Sequence, residues 1–549
     1  MTSAVSLWGR PQTPNSAFHV YDTSLRDGAQ QQGLNLTVAD KLVIARLLDG
    51  LGVGYIEGGW PGAIPKDTEF FRRARTELKL ENATLTAFGA TRRADAVAAD
   101  DPQVAALRDA ETPVVCLVAK SDSRHVERAL RTTKAENLAM VGDTVAHLVA
   151  EGRRVFLDCE HFFDGYRHDP AYALDVVKAA AEAGAEVVVL CDTNGGMLPH
   201  QVTDVVGTVA STGVRLGIHS HDDTGCAVAN TLAAVAAGAT HVQGTANGTG
   251  ERCGNANLFT VVADLELKLD RKVLPPGKLA ELSHVAHAVA EVTNVAPHAS
   301  QPYVGHAAFA HKAGLHASAI KVDPMMYQHA DPAAVGNDMR MLVSDMAGRA
   351  SVELKGRELG FDLSDRKDTL AAVTEQVKQR EARGYTYDAA DASFELILRD
   401  SLDGERRRAF DVESWRVIVD HHAGRTGTSE ATVRLNAGGR RYVVTGEAPG
   451  PVDALNRALR EALVQTFPEL AKVELLDYKV RILEGAHGTD AVTRVLIQTG
   501  DGEDEWGTVG VGGNVLEASW EALEDALAYY LVRRGHAQPA AAPEPVTAG

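Results

Sequence analysis

The first half of the chain alternates eight short apolar runs with longer amphipathic stretches, and this alternation restricts the possible folds more than any other feature. The runs are rich in β-branched residues and end in polar or glycine residues, as strands buried on both faces do. In chain order they are FHVYDTSL, GYIEGGW, TLTAFGA, PVVCLVAK, RVFLDCEHF, EVVVLCDT, RLGIHSH and HVQGTANG. Eight strands with intervening helices over about 250 residues predict a (β/α)8 TIM barrel.

Polar residues follow nearly every run, and this distinguishes the barrel from its rival, a doubly wound sheet. A doubly wound sheet would rarely place reactive side chains at so many strand ends, whereas the carboxyl ends of all barrel strands meet at one mouth. The polar residues at these ends are Arg26, Asp27, Glu57, Glu160, His161, Asp192, Thr193, His219, His221 and Asn247. Their convergence favours the α/β barrel.

The 549 residues exceed what one hydrophobic core can organise, so further domains are expected. We predict an N-terminal extension over 1–17, the catalytic barrel over 18–275, a mainly helical linker over 276–390, a regulatory or dimerising α+β domain over 391–535 and a disordered tail over 536–549. The α+β domain repeats internally, since ATVRLNAGGRRYVVTGEAPGPVDALNRALREAL is echoed by TRVLIQTGDGEDEWGTVGVGGNVLEASWEALEDAL. Each copy predicts two strands, a glycine turn at Gly450 or Gly513, and an amphipathic helix.

Charge and cysteine content exclude several classes of function. The formal net charge is −19 at pH 7, which is unsuited to binding nucleic acid or anionic membranes. Five cysteines without CxxC spacing form neither a disulfide framework nor a zinc ribbon, as expected in a reducing cytosol. The first residues lack the apolar core of a signal peptide, and no run of about 18 apolar residues is present to span a membrane. We therefore expect a cytoplasmic protein with small-molecule partners.

His219 and His221 lie two residues apart at the end of the seventh run. Alternate side chains of a strand point to the same face, so both imidazoles can bind one ion. Two histidines alone are more often a structural pair without an ion. Their position at the barrel mouth, directly before Asp222 and Asp223, favours a metal site.

Two further segments bring polar groups to the same mouth. Arg26 and Asp27 follow the first strand, either as a surface ion pair or as an oxyanion-binding cation beside an oxygen ligand. A glycine-rich loop, GTGERCGN, follows the eighth strand, where barrels often bind phosphate and where simple turns also use glycine. Together with the histidines, these groups indicate a nitrogen and oxygen site for Mg²⁺, Mn²⁺, Zn²⁺ or Co²⁺.

Three motifs, in order on strands one, seven and eight, resemble those of the DRE-TIM metallolyases: DTSLRDGAQ, HSHDDTG and GTGERCGNANL. The resemblance is to the Claisen-condensing branch of that family, and it covers nearly the whole chain, including the linker and the repeat domain. The variants YIEGGWPGAIPKD, TAFGATRR, LDCEHFFDGYRHD and VGNDMRMLVS are most similar to the long bacterial members that use pyruvate.

The resemblance implies a role for individual residues at the barrel mouth and in the linker. The implied metal ligands are Asp27, His219, His221 and Asn255; the implied catalytic residues are Arg26, Glu160 and His316; the substrate-binding residues are Gln30, Trp60 and Thr193. Without the resemblance, Glu160 and His316 would be interpreted as structural. In one respect the sequence departs from the pattern, because Met339 stands where isopropylmalate synthases carry a functional tyrosine.

The reaction implied is a condensation in which a divalent ion polarises the ketone of a 2-keto acid and the enolate of acetyl-CoA attacks it. His316, or a water held by Glu160, would form the enolate, and Arg26 would hold the resulting alkoxide. Pyruvate is favoured, on the hypothesis that Trp60 fills the space a longer keto acid needs. Isoleucine, the end product of the pathway, is then the expected effector of the repeat domain, and a homodimer is expected.

Three alternatives remain open at this stage. A larger keto acid would make the chain a 2-isopropylmalate or homocitrate synthase, with Arg92 or Arg93 binding the second carboxylate of 2-ketoglutarate. A lyase of the hydroxymethylglutaryl-CoA type would use the same barrel for cleavage but has no need of an effector module. A silent sensor that binds an amino acid through the repeats is disfavoured by the intact metal-binding set.

Overall fold

The computed structural model describes residues 17–404, 406–420, 427–483, 492–536 and 538–539. The chain divides into two compact units, Met1–Phe309 with Ala330–Asp338, and Ala310–His329 with Met339–Gly549. The predicted N-terminal extension and the predicted tail lie almost entirely outside the described residues.

The first unit contains eight strands that alternate with helices. Its elements are β1 His19–Asp22, α1 Val38–Leu51, β2 Tyr55–Gly59, α2 Pro65–Glu77, β3 Thr84–Ala90, α3 Pro102–Asp109, β4 Val114–Lys120, α4 Ser123–His125, α5 Lys134–Ala150, β5 Arg154–Glu160, α6 Phe162–His168, α7 Pro170–Glu182, β6 Val187–Asp192, α8 Pro199–Ala210, β7 Leu216–Ser220, α9 Ala227–Ala236, β8 His241–Gly244, α10 Leu258–Leu267 and α11 Leu282–Thr293. Each of the eight apolar runs contains one of the strands.

The eight strands form a closed barrel in sequence order, and every pairing between neighbours is parallel. Closure comes from β1 and β8, where His19 pairs with His241 and Asp22 pairs with Gly244. Because all strands run in one direction, their carboxyl ends meet at one mouth and their amino ends at the opposite floor. The predicted (β/α)8 fold is confirmed.

The helix α1 shows how local sequence produces the outer layer. The Thr37 side chain accepts from the Asp40 backbone N–H, and the Asp40 side chain accepts from the Thr37 backbone N–H, which closes a capping box. Leu42 and Leu48 are buried on one face, as the helical spacing of apolar residues predicts. Gly52 ends the helix with φ of 99°, a left-handed conformation that glycine adopts without strain.

The described part of the second unit combines helices with two three-stranded antiparallel sheets and two short two-stranded sheets. Its elements are β9 Ala310–His311, α12 Gly314–Ile320, β10 Arg340–Met341, α13 Arg349–Glu358, α14 Lys367–Ala382, α15 Asp391–Asp403, β11 Arg407–Arg408, β12 Phe410–Asp420, β13 Thr428–Ala437, β14 Arg440–Ala448, α16 Pro451–Val464, β15 Glu474–Ile482, β16 Thr493–Gly500, β17 Glu505–Gly512, α17 Val515–Arg533 and β18 Gln538–Pro539. The sheet β12–β13–β14 packs against α16, and β15–β16–β17 packs against α17.

Each repeat of the second unit has three strands and not the two that the sequence predicts. The additional strands, β12 and β15, precede the similar segments and are mostly exposed. The similarity between the two copies begins after these strands, which explains why it did not reveal them. Trp506 and Trp520 are buried in the core of this domain. Among the described helices, none combines the length and apolar character needed to cross a membrane.

Candidate active site at the barrel mouth

A cavity of about 710 Å³ opens at the mouth of the barrel. Most of the residues proposed from the sequence line it: Arg26, Asp27, Gln30, Trp60, Glu160, Thr193, His219 and His221. They come from loops and strand ends at five different strands, because parallel closure brings these ends together. The convergence that the sequence predicted is therefore present.

Asp27, His219 and His221 form a buried cluster with the geometry of a metal site. The Nε2 atoms of the two histidines lie 3.3 Å apart. Asp27 Oδ2 lies 3.5 Å from the Nε2 of His219 and 3.9 Å from the Nε2 of His221. Three potential ligand atoms thus face one point, as the alternation of side chains on β7 requires.

Asn255 supplies a fourth group to this cluster. Its backbone pairs with His221 in an isolated bridge, and its Nδ2 lies 3.4 Å from Asp27 Oδ1 and 3.1 Å from the Thr249 carbonyl oxygen. Its Oδ1 is buried and has no hydrogen-bond partner among the described residues. A buried oxygen without a partner is costly unless something binds it. Two imidazole nitrogens, a carboxylate and this oxygen fit a divalent ion with nitrogen and oxygen preference.

The electrostatic surroundings of Asp27 and His221 favour the protonation states that bind a metal ion. Burial opposes ionisation of Asp27, but the positive charge of Arg26 and the two histidines lower its pKa to about 2. Burial, reinforced by His219, lowers the pKa of His221 to about 4. At neutral pH, the carboxylate is therefore charged and the His221 imidazole is neutral, and only these forms bind a metal.

Glu57 in β2 holds Arg26, and it has no role in the sequence-based site. Its carboxylate is fully buried and accepts hydrogen bonds from Thr23 Oγ1 and Arg26 Nε at 2.6 Å, and from the Tyr21 hydroxyl. Arg26 Nη1 also donates to Asp27 Oδ2 at 2.9 Å. The signal was present in the sequence, because a carboxylate inside an apolar strand needs a buried partner.

Arg26 also stacks on an aromatic wall of the cavity. Its guanidinium carbon lies 3.8 Å from the centre of the Phe88 ring, and Trp60 meets the same ring edge to face at 5.3 Å. Such stacking, together with the bonds to Glu57 and Asp27, fixes the guanidinium plane in the cavity. The ion pair of Arg26 with Asp27 is largely buried, so of the two interpretations from the sequence the surface ion pair is excluded.

Glu160 and Thr193 stand at the ends of β5 and β6, and each has a partner that sequence reasoning missed. Glu160 forms an ion pair with Lys120 at the end of β4. Thr193 Oγ1 accepts from the His161 backbone N–H at 2.8 Å, and the Thr193 carbonyl accepts from Arg252 at 2.8 Å. Lys and Arg residues in polar loops are too common for the sequence to have singled these partners out.

Arg252 belongs to the glycine-rich loop after β8. Besides Thr193, Arg252 donates hydrogen bonds to both carboxylate oxygens of Asp223, at 2.8 and 2.9 Å. It therefore joins the loops after β6, β7 and β8. Asp192 acts as a turn residue at the same edge, because it accepts from the Gly196 and Met197 backbone N–H groups.

His316 lies in the second unit, in α12, where its ring stacks on Tyr327 at 4.1 Å. Met339, at the position of the missing tyrosine, is half-buried against α12. The catalytic role of His316 stays a prediction.

Arg92 and Arg93 both line the cavity, but they are not equivalent. The Arg92 guanidinium is bound to Glu136 at 2.6 Å and to Asp143 at 2.7 Å. Its charge is therefore already neutralised by two carboxylates. Arg93 is exposed at the rim of the cavity.

Comparison with known proteins divides the chain into three family matches. Residues 17–289 match the HMGL-like family, residues 303–384 the homocitrate synthase post-HMGL domain-like family, and residues 388–531 the LeuA allosteric (dimerisation) domain.

The relatives cover nearly the whole chain. An (R)-citramalate synthase of Streptomyces coelicolor is 66% identical, over 95% of this chain and 98% of its own length. An (R)-citramalate synthase of Aquifex aeolicus is 46% identical, over 94% of this chain and 98% of its own. A 2-isopropylmalate synthase of Shouchella clausii is 29% identical, over 95% of this chain and 98% of its own length. With its DRE-TIM barrel, linker and repeat domain, the chain belongs to the (R)-citramalate synthase family.

Proposed function

We propose that this enzyme condenses acetyl-CoA with pyruvate and that one water then hydrolyses the thioester, giving citramalate and CoA. The observation that carries the proposal is the buried set of Asp27, His219, His221 and Asn255 beside Arg26, in a chain 66% identical to an (R)-citramalate synthase. A divalent ion bound by these four residues would act as the Lewis acid that polarises the ketone of pyruvate.

Thr193 and Arg26 are the groups we assign to the keto acid. The Thr193 hydroxyl oxygen already accepts from His161, so its hydrogen is left to donate to the pyruvate carboxylate. Arg26 uses Nε and Nη1 on Glu57 and Asp27, and its Nη2 makes no hydrogen bond within the described part of the chain. This nitrogen would donate to the keto oxygen and, more strongly, to the alkoxide that forms when the enolate attacks.

Glu160 is our candidate for moving the proton of the acetyl methyl group, either directly or through a water. The ion pair with Lys120 holds its carboxylate at the cavity wall, and a carboxylate in this position can accept a proton. His316 is the other candidate for this role. A proton transfer by Glu160 predicts that Glu160→Gln loses turnover while binding pyruvate as before.

The same cavity favours pyruvate over dicarboxylic keto acids. Binding 2-ketoglutarate requires a cation for the second carboxylate, and Arg92 is already held by Glu136 and Asp143. Trp60, seated against Phe88, narrows the cavity beside Arg26. These contacts support a small keto acid.

An assay of thiol release from acetyl-CoA tests the proposal. The purified enzyme is supplied with Mn²⁺ and, separately, with pyruvate, 2-ketobutyrate, 2-ketoisovalerate or 2-ketoglutarate. We expect the highest kcat/KM with pyruvate and the loss of activity in EDTA. A preference for 2-ketoisovalerate would reassign the enzyme as an isopropylmalate synthase, and binding without thiol release would support a silent sensor.

We further propose that isoleucine is the effector and that it acts through the second unit, which carries the LeuA allosteric (dimerisation) match. The helix α15 buries Phe394 and Leu398 in one core with α13 and α14, so a cut before it would damage the linker. Deletion from residue 405 keeps α15. We expect the truncated enzyme to lose isoleucine inhibition and to become a monomer by light scattering. Undiminished inhibition would refute the effector site.

We also propose a cytoplasmic location. All five cysteines are free in the structure, as a reducing compartment favours.

A further inference from the structure

Gln243 in β8 connects a metal-ligand histidine to a buried carboxylate. Its Oε1 lies 2.7 Å from His219 Nδ1, and its Nε2 donates to Asp158 Oδ1 at 2.9 Å. Gln243 and Asp158 are 1% and 3% exposed, respectively. Asp158, in β5, also accepts from the Cys116 thiol at 3.3 Å. The three side chains form a chain across the barrel interior that ends at His219.

The hydrogen bonds among His219, Gln243 and Asp158 allow only one orientation of the Gln243 side-chain amide. A neutral imidazole carries one N–H, so His219 can bind an ion through Nε2 only if its hydrogen is on Nδ1. The amide oxygen of Gln243 accepts that hydrogen. The flipped amide would place its oxygen against the Asp158 carboxylate and would require the hydrogen on His219 Nε2, the atom that faces Asp27.

We propose that Gln243, itself oriented by Asp158, is the positioning residue that fixes His219 in the tautomer able to bind the metal. Gln243 is not among the residues that line the cavity, so it acts only through His219. His221 has no comparable support, since its Nδ1 is buried without a hydrogen-bond partner in the described part of the chain. The inference rests on the proposed metal site. Outer hydrogen bonds of this kind typically contribute about 10- to 100-fold in metal affinity.

Electron paramagnetic resonance titration of the full-length enzyme with Mn²⁺ measures the effect directly, without substrate turnover. We expect Gln243→Leu to raise the dissociation constant for Mn²⁺ by about 10- to 100-fold. Gln103→Leu is the matched control, because Gln103 lies in the same cavity wall away from the ligands. Its dissociation constant should equal that of the wild type. The melting temperature in EDTA shows whether each variant is folded.

Exchanging the amide of Gln243 and the carboxylate of Asp158 distinguishes a role of Gln243 in positioning His219 from a role in packing. In the double variant Gln243→Glu with Asp158→Asn, the introduced carboxylate can accept the His219 hydrogen and the introduced amide can donate to that carboxylate. We expect Mn²⁺ affinity within about threefold of the wild type, well above that of Gln243→Leu. Mn²⁺ binding by Gln243→Leu at wild-type affinity, or a double variant as weak as Gln243→Leu, would overturn the proposal.

Failure of this inference can be told apart from failure of the proposed function. Wild-type enzyme that binds Mn²⁺ but forms no citramalate would contradict the function and leave the Gln243 prediction standing. Citramalate formation with unchanged Mn²⁺ affinity in Gln243→Leu would contradict the inference alone.

Discussion

Two of the histidine pairs in the barrel lie at opposite ends, one at the mouth and one at the floor, and only the pair at the mouth has the surroundings of a metal site. At the mouth, His219 and His221 face the Asp27 carboxylate. At the floor, His19 and His241 lie with their Nδ1 atoms 3.3 Å apart. Within the described residues, the mouth set is the only group of three or more His, Cys, Asp or Glu side chains arranged around one point.

The floor pair is enclosed by aromatic rings in place of carboxylates. The centres of the Tyr21 and Phe156 rings both lie 5.2 Å from that of His241, and the Tyr55 hydroxyl lies 3.4 Å from His19 Nε2. Burial lowers the pKa of His241 well below its usual value. The same residue type therefore serves chemistry at the carboxyl ends of the strands and packing at their amino ends.

The largest expected effect is on the histidines themselves. His219→Leu removes a proposed metal ligand, and we expect citramalate formation to fall by about 1,000-fold or more, since the ketone would lose its Lewis acid. His241→Leu, its floor counterpart, should retain activity within about twofold, because a leucine suits the apolar surroundings. Steady-state kinetics with saturating Mn²⁺ compare the two. Equal losses would remove the distinction between mouth and floor.

Two arginines that lie over aromatic rings, one at the mouth and one at the floor, provide the next comparison. Arg26 at the mouth contacts Phe88. Arg154 at the floor donates hydrogen bonds to both carboxylate oxygens of Glu186 at 2.6 Å and to the Tyr55 hydroxyl at 2.7 Å. We expect Arg26→Lys to lower kcat by about 100-fold, because a lysine cannot hold two carboxylates and donate to the alkoxide together.

Arg154→Lys is the control for Arg26→Lys. It should leave kcat unchanged and lower the free energy of unfolding by about 1 kcal/mol, since the pair with Glu186 is partly exposed. A comparable loss of kcat in both variants would show that Arg26 acts by holding the barrel together.

Trp60→Ala tests whether the mouth also selects the substrate. Removing the indole that meets Phe88 should reduce the kcat/KM preference for pyruvate over 2-ketoisovalerate by about 10-fold. Leu130→Ala, which changes an exposed part of the cavity wall, should leave the preference unaltered. An unchanged preference in Trp60→Ala would refute the role given to Trp60.

How much the sequence could predict follows from the same contrast. The barrel was predictable because buried parallel strands produce continuous apolar runs, and closure then determines which ends meet. His219 and Asp27 could be assigned to one site from their positions alone. His19 and His241 begin their strands, and this position already indicates the floor.

The sequence could indicate that a carboxylate such as Glu57 needs a buried partner, but it could not identify the partners of the site residues. Glu57, Gln243 and Asp158 belong to different strands, and their contacts depend on the stagger of the barrel, which no local pattern records. The leading strands of the repeats were missed because the similarity between the two copies begins after them. Such side-chain contacts depend on the three-dimensional arrangement of the strands, whereas the fold class can be predicted from local sequence patterns.

The smallest expected effect is a pH dependence of stability that originates at the floor. Because the pKa of His241 is lowered in the folded protein, the unfolded chain binds a proton below about pH 6.5 that the folded chain does not. Stability from this residue is complete above that pH and declines as the pH falls. Between about pH 7 and pH 5.5 the loss amounts to about 1 kcal/mol.

His241→Leu should remove this loss, so the urea midpoint of the metal-free variant would fall less on acidification than that of the wild type. His200→Leu, at an exposed position of α8, is the control and should follow the wild type. Parallel declines in His241→Leu and the wild type would mean that the floor histidine takes up its proton without unfolding. The contrast between the two pairs would then rest on the Asp27 carboxylate alone.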